Sequence, residues 1–208
     1  NLNLLKWLKT FILKKQTMLL TEHIPFTVDK KIIEESISSN KPLVVTGVIQ
    51  RAEAKNQNGR IYPREILERE IENYINGPVK ERRALGELDH PESSVINLQN
   101  ASHNITKVYW NGDDVIGEVE ILSTPSGNIL KELFRNGITV GISSRGMGSV
   151  KENMSEGTVE VQEDFELLCF DFVSTPSTHG AFMKPAGRAI QELQEGKIQV
   201  PEYKYTNV

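Results

Sequence analysis

Apolar positions change their spacing several times along the chain, and each change marks an element. Residues 41–54, with Leu43-Val44-Val45-Thr46-Gly47-Val48-Ile49 at their centre, are rich in β-branched side chains and lead to the turn pair Asn58-Gly59, so they read as the first core strand. Behind Pro63 the period lengthens. Ile66, Leu67, Ile71, Tyr74 and Ile75 recur at helical spacing until Gly77-Pro78, which predicts an amphipathic helix over 64–75. Alternation returns at 105–110 and 115–122, on either side of Asn111-Gly112-Asp113-Asp114, the signature of a β-hairpin. Thr124-Pro125 opens a second helix with Ile129, Leu130, Leu133 and Phe134 on one face, and Asn136-Gly137 closes it. Strands are predicted over 139–147 and 159–173, the polar stretch 151–157 between them reading as an exposed loop, and a short helix over 186–195.

The N-terminal residues 2–20 interleave leucines with four lysines. They are too polar to span a bilayer and lack the small-residue cleavage site of a signal peptide. An amphipathic helix is expected there, able to dock on a partner or a membrane surface, with nothing in the residues that selects the membrane. Only the ends look detachable, which divides the chain into an extension 1–25, a single domain 26–195 and a tail 196–208. The order of elements predicts an α+β fold with a mostly antiparallel, barrel-like sheet and flanking helices.

Composition narrows the function more than the fold. Of 208 residues, 38% are hydrophobic and 25% charged, the proportions of a globular domain, and the formal charge of −4 with no basic stripe argues against a nucleic-acid binder. The one cysteine, Cys169, stands in the apolar run Leu167-Leu168-Cys169-Phe170, which leaves no disulfide framework or cysteine zinc cluster and suits a reducing cytoplasm.

Three segments place reactive side chains where structure alone does not ask for them. In Gly86-Glu87-Leu88-Asp89-His90-Pro91, the proline biases His90 to an extended backbone, and its imidazole is available as a base near neutral pH. In Gly141-Ile142-Ser143-Ser144-Arg145-Gly146-Met147-Gly148, glycines surround two serines and an arginine, which suits a nucleophile beside an oxyanion hole. In Phe170-Asp171-Phe172, a carboxylate interrupts an apolar strand, and burying it is costly unless a donor or a cation pairs with it. The bland readings are a surface-loop histidine and a glycine-rich turn with solvated serines. A phosphate loop is excluded because Met147 stands where the lysine belongs, and the hydrolase elbow fails because Arg145 stands where its second glycine belongs. His90 as base, Ser143 as nucleophile and Asp171 as orienting group form a set of the serine-hydrolase kind. A cysteine hydrolase using Cys169 is the weaker rival, since a thiol in an apolar strand stays protonated.

The segments Gly86–Pro91 and Gly141–Ser149, with the upstream stretch Ala52–Pro63 and Tyr74-Ile75-Asn76, resemble the prohead core protein proteases of T-even bacteriophages over roughly residues 43–185. The resemblance implies a fold similar to herpesvirus assemblin, with His90 and Ser143 as the catalytic pair. It also implies cleavage of scaffold and capsid proteins inside an immature head in the host cytoplasm, and self-association. Asp89 departs from the asparagine found in the T-even proteins, and the cationic N-terminal stretch has no counterpart among them. Because the herpesvirus enzymes use a second histidine, His103 and His179 stand as alternatives to Asp171. Ser144, Arg145 and Gly146 are the expected oxyanion and substrate-binding positions, and no metal or cofactor is expected. The family's preference for Leu or Ile, any residue, then Glu points to self-trimming at Leu20-Thr21-Glu22, Ile190-Gln191-Glu192 or Leu193-Gln194-Glu195. The rival is a silent capsid or scaffold component with the same fold.

Overall fold

The computed structural model describes residues 18–174 apart from 27, 29, 40 and 57. The greater part of the expected N-terminal helix, the helix expected over 186–195, His179 and the two tripeptides after residue 189 lie outside the described residues.

Three sheets and three α-helices make up the described fold. The first sheet has the order β1-β7-β10, from β1 (Met18–Phe26), β7 (Val140–Gly148) and β10 (Glu166–Val173), with β7 antiparallel to both neighbours. The second runs β2-β6-β5-β4, from β2 (Leu43–Arg51), β4 (Leu85–Glu87), β5 (Ala101–Asn111) and β6 (Asp114–Ile121), all antiparallel. A small third sheet joins β3 (Arg60–Ile61) in parallel to β9 (Thr158–Val161), which pairs antiparallel with β8 (Val150–Asn153). Helices α1 (Lys30–Ser38), α2 (Arg64–Tyr74) and α3 (Pro125–Arg135) cover the sheets, and Leu20, Val45, Ile49, Leu67, Val119, Phe134, Phe170 and Phe172 belong to one shared core.

The hairpin and the helices predicted over 64–75 and behind Thr124-Pro125 form where their signals lie. The hairpin turns at Gly112, whose φ of +61° needs glycine's freedom, and the Thr124 hydroxyl caps α3 by accepting the Gly127 N–H at 3.0 Å. Elsewhere the structure differs from the sequence reading. The sheets do not close into a barrel: among the described residues β4 and β10 lie side by side without a ladder, and the backbone pairs only in one isolated parallel bridge just past β4, Leu88 with Phe172, because β4 ends after three residues and the chain turns away at Asp89, with φ of +71°. Gly77-Pro78 does not stop α2 but widens it into a π-turn, Ile75–Val79, in which the Lys80 N–H reaches Ile75 O at 3.1 Å. Part of the predicted 151–157 loop is β8, and the predicted 159–173 strand is divided between β9 and β10.

Residues 18–26, all but the last within the expected N-terminal extension, form a nine-residue edge strand along β7. Leu20 and Ile24 are both buried, at an even spacing that a strand satisfies. The lysines that suggested a helix end at Lys15.

Candidate active site

The strands β7 and β10 divide their side chains between two chemically different faces. Opposite residues in an antiparallel ladder project to the same side, and the register sets Phe172 against Ile142, Asp171 against Ser143, Phe170 against Ser144 and Cys169 against Arg145. Phe170 and Phe172 enter the core, where Phe170 meets Tyr74 edge-on at 5.5 Å and Phe172 meets Phe134 at 5.7 Å. The Ser144 hydroxyl points the same way and accepts the side-chain N–H of buried Gln50 on β2 at 2.8 Å. The other face carries Ser143, Arg145, Cys169 and Asp171.

Asp171 is the hub of that face. Its Oδ2 accepts His90 Nδ1–H at 2.9 Å, its Oδ1 accepts the Glu87 amide at 2.9 Å, and Arg145 reaches it with Nη2 at 3.1 Å and Nε at 3.0 Å. Burial pushes the Asp171 carboxyl up, but the His90 hydrogen bond, the Glu87 amide and the Arg145 charge outweigh it and hold the group below the usual carboxylate range. Because Nδ1 donates to a carboxylate, the neutral His90 ring keeps its acceptor lone pair on Nε2, the tautomer a general base requires. Ser143, directly across the ladder from Asp171, has its Oγ 3.4 Å from Ser144 O, at the outer limit of hydrogen bonding. Its hydroxyl is therefore held far more loosely than that of Ser144.

Arg145 sits differently from what its sequence context suggests. Its guanidinium is fully buried and spends its donors on Asp171, on Glu87 Oε2 at 2.9 Å, on Ser93 O at 2.7 Å and on Cys169 Sγ at 3.2 Å. Gly146 and Gly148 pack against Phe165: a Cβ on Gly146 would lie 2.4 Å from that ring and 2.6 Å from Glu166 O. Ser144, Arg145 and Gly146 stand in a strand with neighbours on both sides, so their peptide groups face β1 and β10. Gly146 and Gly148 thus allow close packing against Phe165.

The structure also separates the alternatives. His103 is fully buried, donates Nε2–H to Phe170 O at 2.9 Å and bonds Ser102 Oγ through Nδ1 at 2.8 Å, and burial pushes its pKa down to about 4. It is a neutral structural group with both ring nitrogens engaged away from Asp171. Gly86 makes room for it, since a Cβ there would lie 2.3 Å from the ring and 1.9 Å from Phe170 O. Burial and the neighbouring Asp171 push the Cys169 thiol up beyond any thiolate role at neutral pH, with Arg145 opposing only in part. Glu87, Ser93 and Asn97, whose amide donates to Glu87 Oε1 at 2.6 Å, had no signal of their own in the sequence.

A histidine bonded to a buried carboxylate, with a loosely held serine directly across the ladder from that carboxylate, is the kind of equipment a hydrolase with a serine nucleophile uses. The prohead core protein serine protease family matches residues 9–195, and the chain belongs to that family: it is a prohead protease of the serine type. It is 36% identical over 146 residues to the prohead core protein protease of Enterobacteria phage T4, covering 69% of this chain and 68% of that protein. Its fold is similar to the solved structure of the bacteriophage T4 capsid assembly protease, gp21, with a TM-score of 0.68 and 29% identity over 77% of this chain and 99% of that one.

Proposed function

We propose that this protease cuts capsid and scaffold proteins inside the immature head, in the host cytoplasm, with Ser143 as nucleophile, His90 as general base and Asp171 as the group that orients the imidazole. The hydrogen bond from His90 to Asp171, on the face of the sheet that carries Ser143, is the observation that supports this reading most. His90 Nε2 takes the Ser143 proton as Oγ attacks the peptide carbonyl, and the same proton passes to the leaving amine as the C–N bond breaks. Water, deprotonated by His90, then attacks the acyl-serine ester and restores the serine. Positive charge on the imidazole is stabilised by Asp171 throughout.

Ser143 has no exposed surface in this conformation, so a peptide reaches it only after the site opens. The oxyanion donors assigned to Ser144, Arg145 and Gly146 are backbone N–H groups that become available when β1 or β10 loosens its hold on β7. Cleavage after Glu in Leu/Ile-x-Glu sequences and self-association complete the proposal. Leu20-Thr21-Glu22 lies within β1, with Leu20 fully buried, so cutting there follows unpairing of that strand. The test is cleavage of a peptide containing Ile-Pro-Glu by the parent chain, Ser143→Ala and Ser144→Ala, each shown folded by circular dichroism. Activity lost in Ser143→Ala and kept in Ser144→Ala supports the assignment. The reverse pattern moves the nucleophile to Ser144, and normal activity in both refutes the reading.

A further inference from the structure

The segment that carries His90 leaves the sheet at Leu88 and rejoins it at Ala101, and it has no α-helix or strand of its own. Backbone hydrogen bonds hold its two ends: Leu88 N–H to Asn100 O at 3.0 Å, and Asp89 N–H to Phe172 O at 2.8 Å. Between those ends, two further ties run to the same pair of side chains. Arg145 Nη1–H donates to Ser93 O at 2.7 Å, and Glu87 Oε1 accepts the Asn97 N–H at 2.6 Å. Glu87 and Arg145 are bonded to each other at 2.9 Å, both fully buried, and Arg145 also holds Asp171, the partner of His90. The pair thus spans from the carboxylate that orients the imidazole to two points of the segment that carries it.

A buried ion pair is a poor device for stability, since apolar side chains of similar volume often serve as well or better. This one closes a circuit in which every partner is a backbone group of the His90 segment, Asp171 or Cys169. We infer that the side chains of Glu87 and Arg145 are positioning groups of the protease, a buried strut that sets where the His90 ring stands relative to Asp171 without themselves touching the substrate. The inference rests on the assignment of His90, Asp171 and Ser143 proposed above. It adds Glu87 to the working parts of the enzyme and gives the Arg145 side chain a supporting role, separate from the backbone N–H assigned above to the oxyanion.

The experiment uses two readouts on the full chain. One is the downfield proton resonance of His90 Nδ1–H, identified by its loss in His90→Gln, which reports the bond to Asp171 whether or not the enzyme turns over. The other is the rate at which a fluorophosphonate probe labels Ser143, followed by intact mass with Ser143→Ala as control. The main variant is Glu87→Leu with Arg145→Met, which removes both charges together and leaves neither stranded. Glu87→Gln, which keeps an acceptor for Asn97, is the milder companion. Cooperative thermal unfolding is expected to persist in both, while the imidazole resonance broadens or vanishes in the double variant and its labelling rate falls by about 100-fold or more, the scale of a 1 Å displacement. Folded variants that keep the resonance and label within about threefold of the parent overturn the inference, that threefold being well inside the displacement scale. Loss of cooperative unfolding in both assigns the pair to the fold and overturns it too. If Ser143→Ala labels like the parent, the proposed nucleophile is wrong, and the imidazole resonance still decides the role of the strut.

Discussion

The two faces of the β7–β10 ladder are built from alternate residues of the same two strands, yet they obey different rules. On the core face Ile142, Phe170 and Phe172 are held by ring contacts and excluded water, and Ser144 is tolerated because Gln50 satisfies it. On the other face Asp171, Arg145 and Cys169 are as deeply buried, and each of these three is answered by a charge or a directed hydrogen bond, while the Ser143 hydroxyl is held only loosely. A core side chain can be trimmed at a cost in stability alone. A member of the polar face has a fixed geometry, and disturbing it changes what the site can do.

The sharpest way to test this division is at the paired serines. Ser143→Ala is expected to lower peptide cleavage by a factor on the order of a million, the scale seen when a serine hydrolase loses its nucleophile, while Ser144→Ala stays within about tenfold of the parent. Asp171→Asn comes next: a folded variant whose turnover falls by up to about ten-thousand-fold in steady-state assays, because the amide favours the wrong imidazole tautomer. Phe172→Ala, one residue further along, should do the opposite. Its unfolding free energy drops by about 3–5 kcal/mol in urea titrations, while the folded fraction keeps its specific activity.

Histidine 103 extends the comparison to pH. Its folded pKa of about 4 lies below the unfolded value, so the unfolded chain binds the extra proton between these limits and stability declines as pH falls from the unfolded pKa toward 4. Asp171, also depressed, adds a loss of the same sign at lower pH, as the solution is acidified through its folded pKa. Denaturation midpoints measured from pH 7 to 4.5 should therefore fall in the parent and fall less steeply in His103→Gln, by a difference of up to about 3 kcal/mol. The smallest effect is expected at Cys169. Iodoacetamide should leave the native chain unlabelled and fully active, and label it only in denaturant, because the thiol is buried and its pKa is raised.

Much of the candidate site was legible because its residues break local patterns. A carboxylate between two phenylalanines, a histidine before proline and serines amid glycines each conflict with what packing alone would choose, and such conflicts concentrate where chemistry is done. Glu87 was illegible for the opposite reason. A glutamate at the end of a short strand normally faces water, and only the arrival of Arg145 from β7 explains its burial. At Gly146 and Gly148 the absence of a side chain records close approach without naming what approaches; here it is Phe165. Strand β1 was missed because three apolar residues beside a lysine-rich stretch carry the helical pattern forward, and its strand character comes from pairing with a segment more than a hundred residues away.

The amino-acid sequence by itself determined the elements whose signals are local, namely the hairpin at Gly112, the capped helix after Thr124 and the amphipathic helix after Pro63, together with the reactive side chains. The tertiary structure alone decided three things: that the sheets stay open, that Ser143 and Ser144 look to opposite faces, and that His103 is silenced while His90 is bonded to Asp171. The reason is physical. Local signals are set by dihedral preferences and periodicity within a few residues, whereas the partner of a buried charge, or the state of a histidine, depends on which distant strand lies across the ladder.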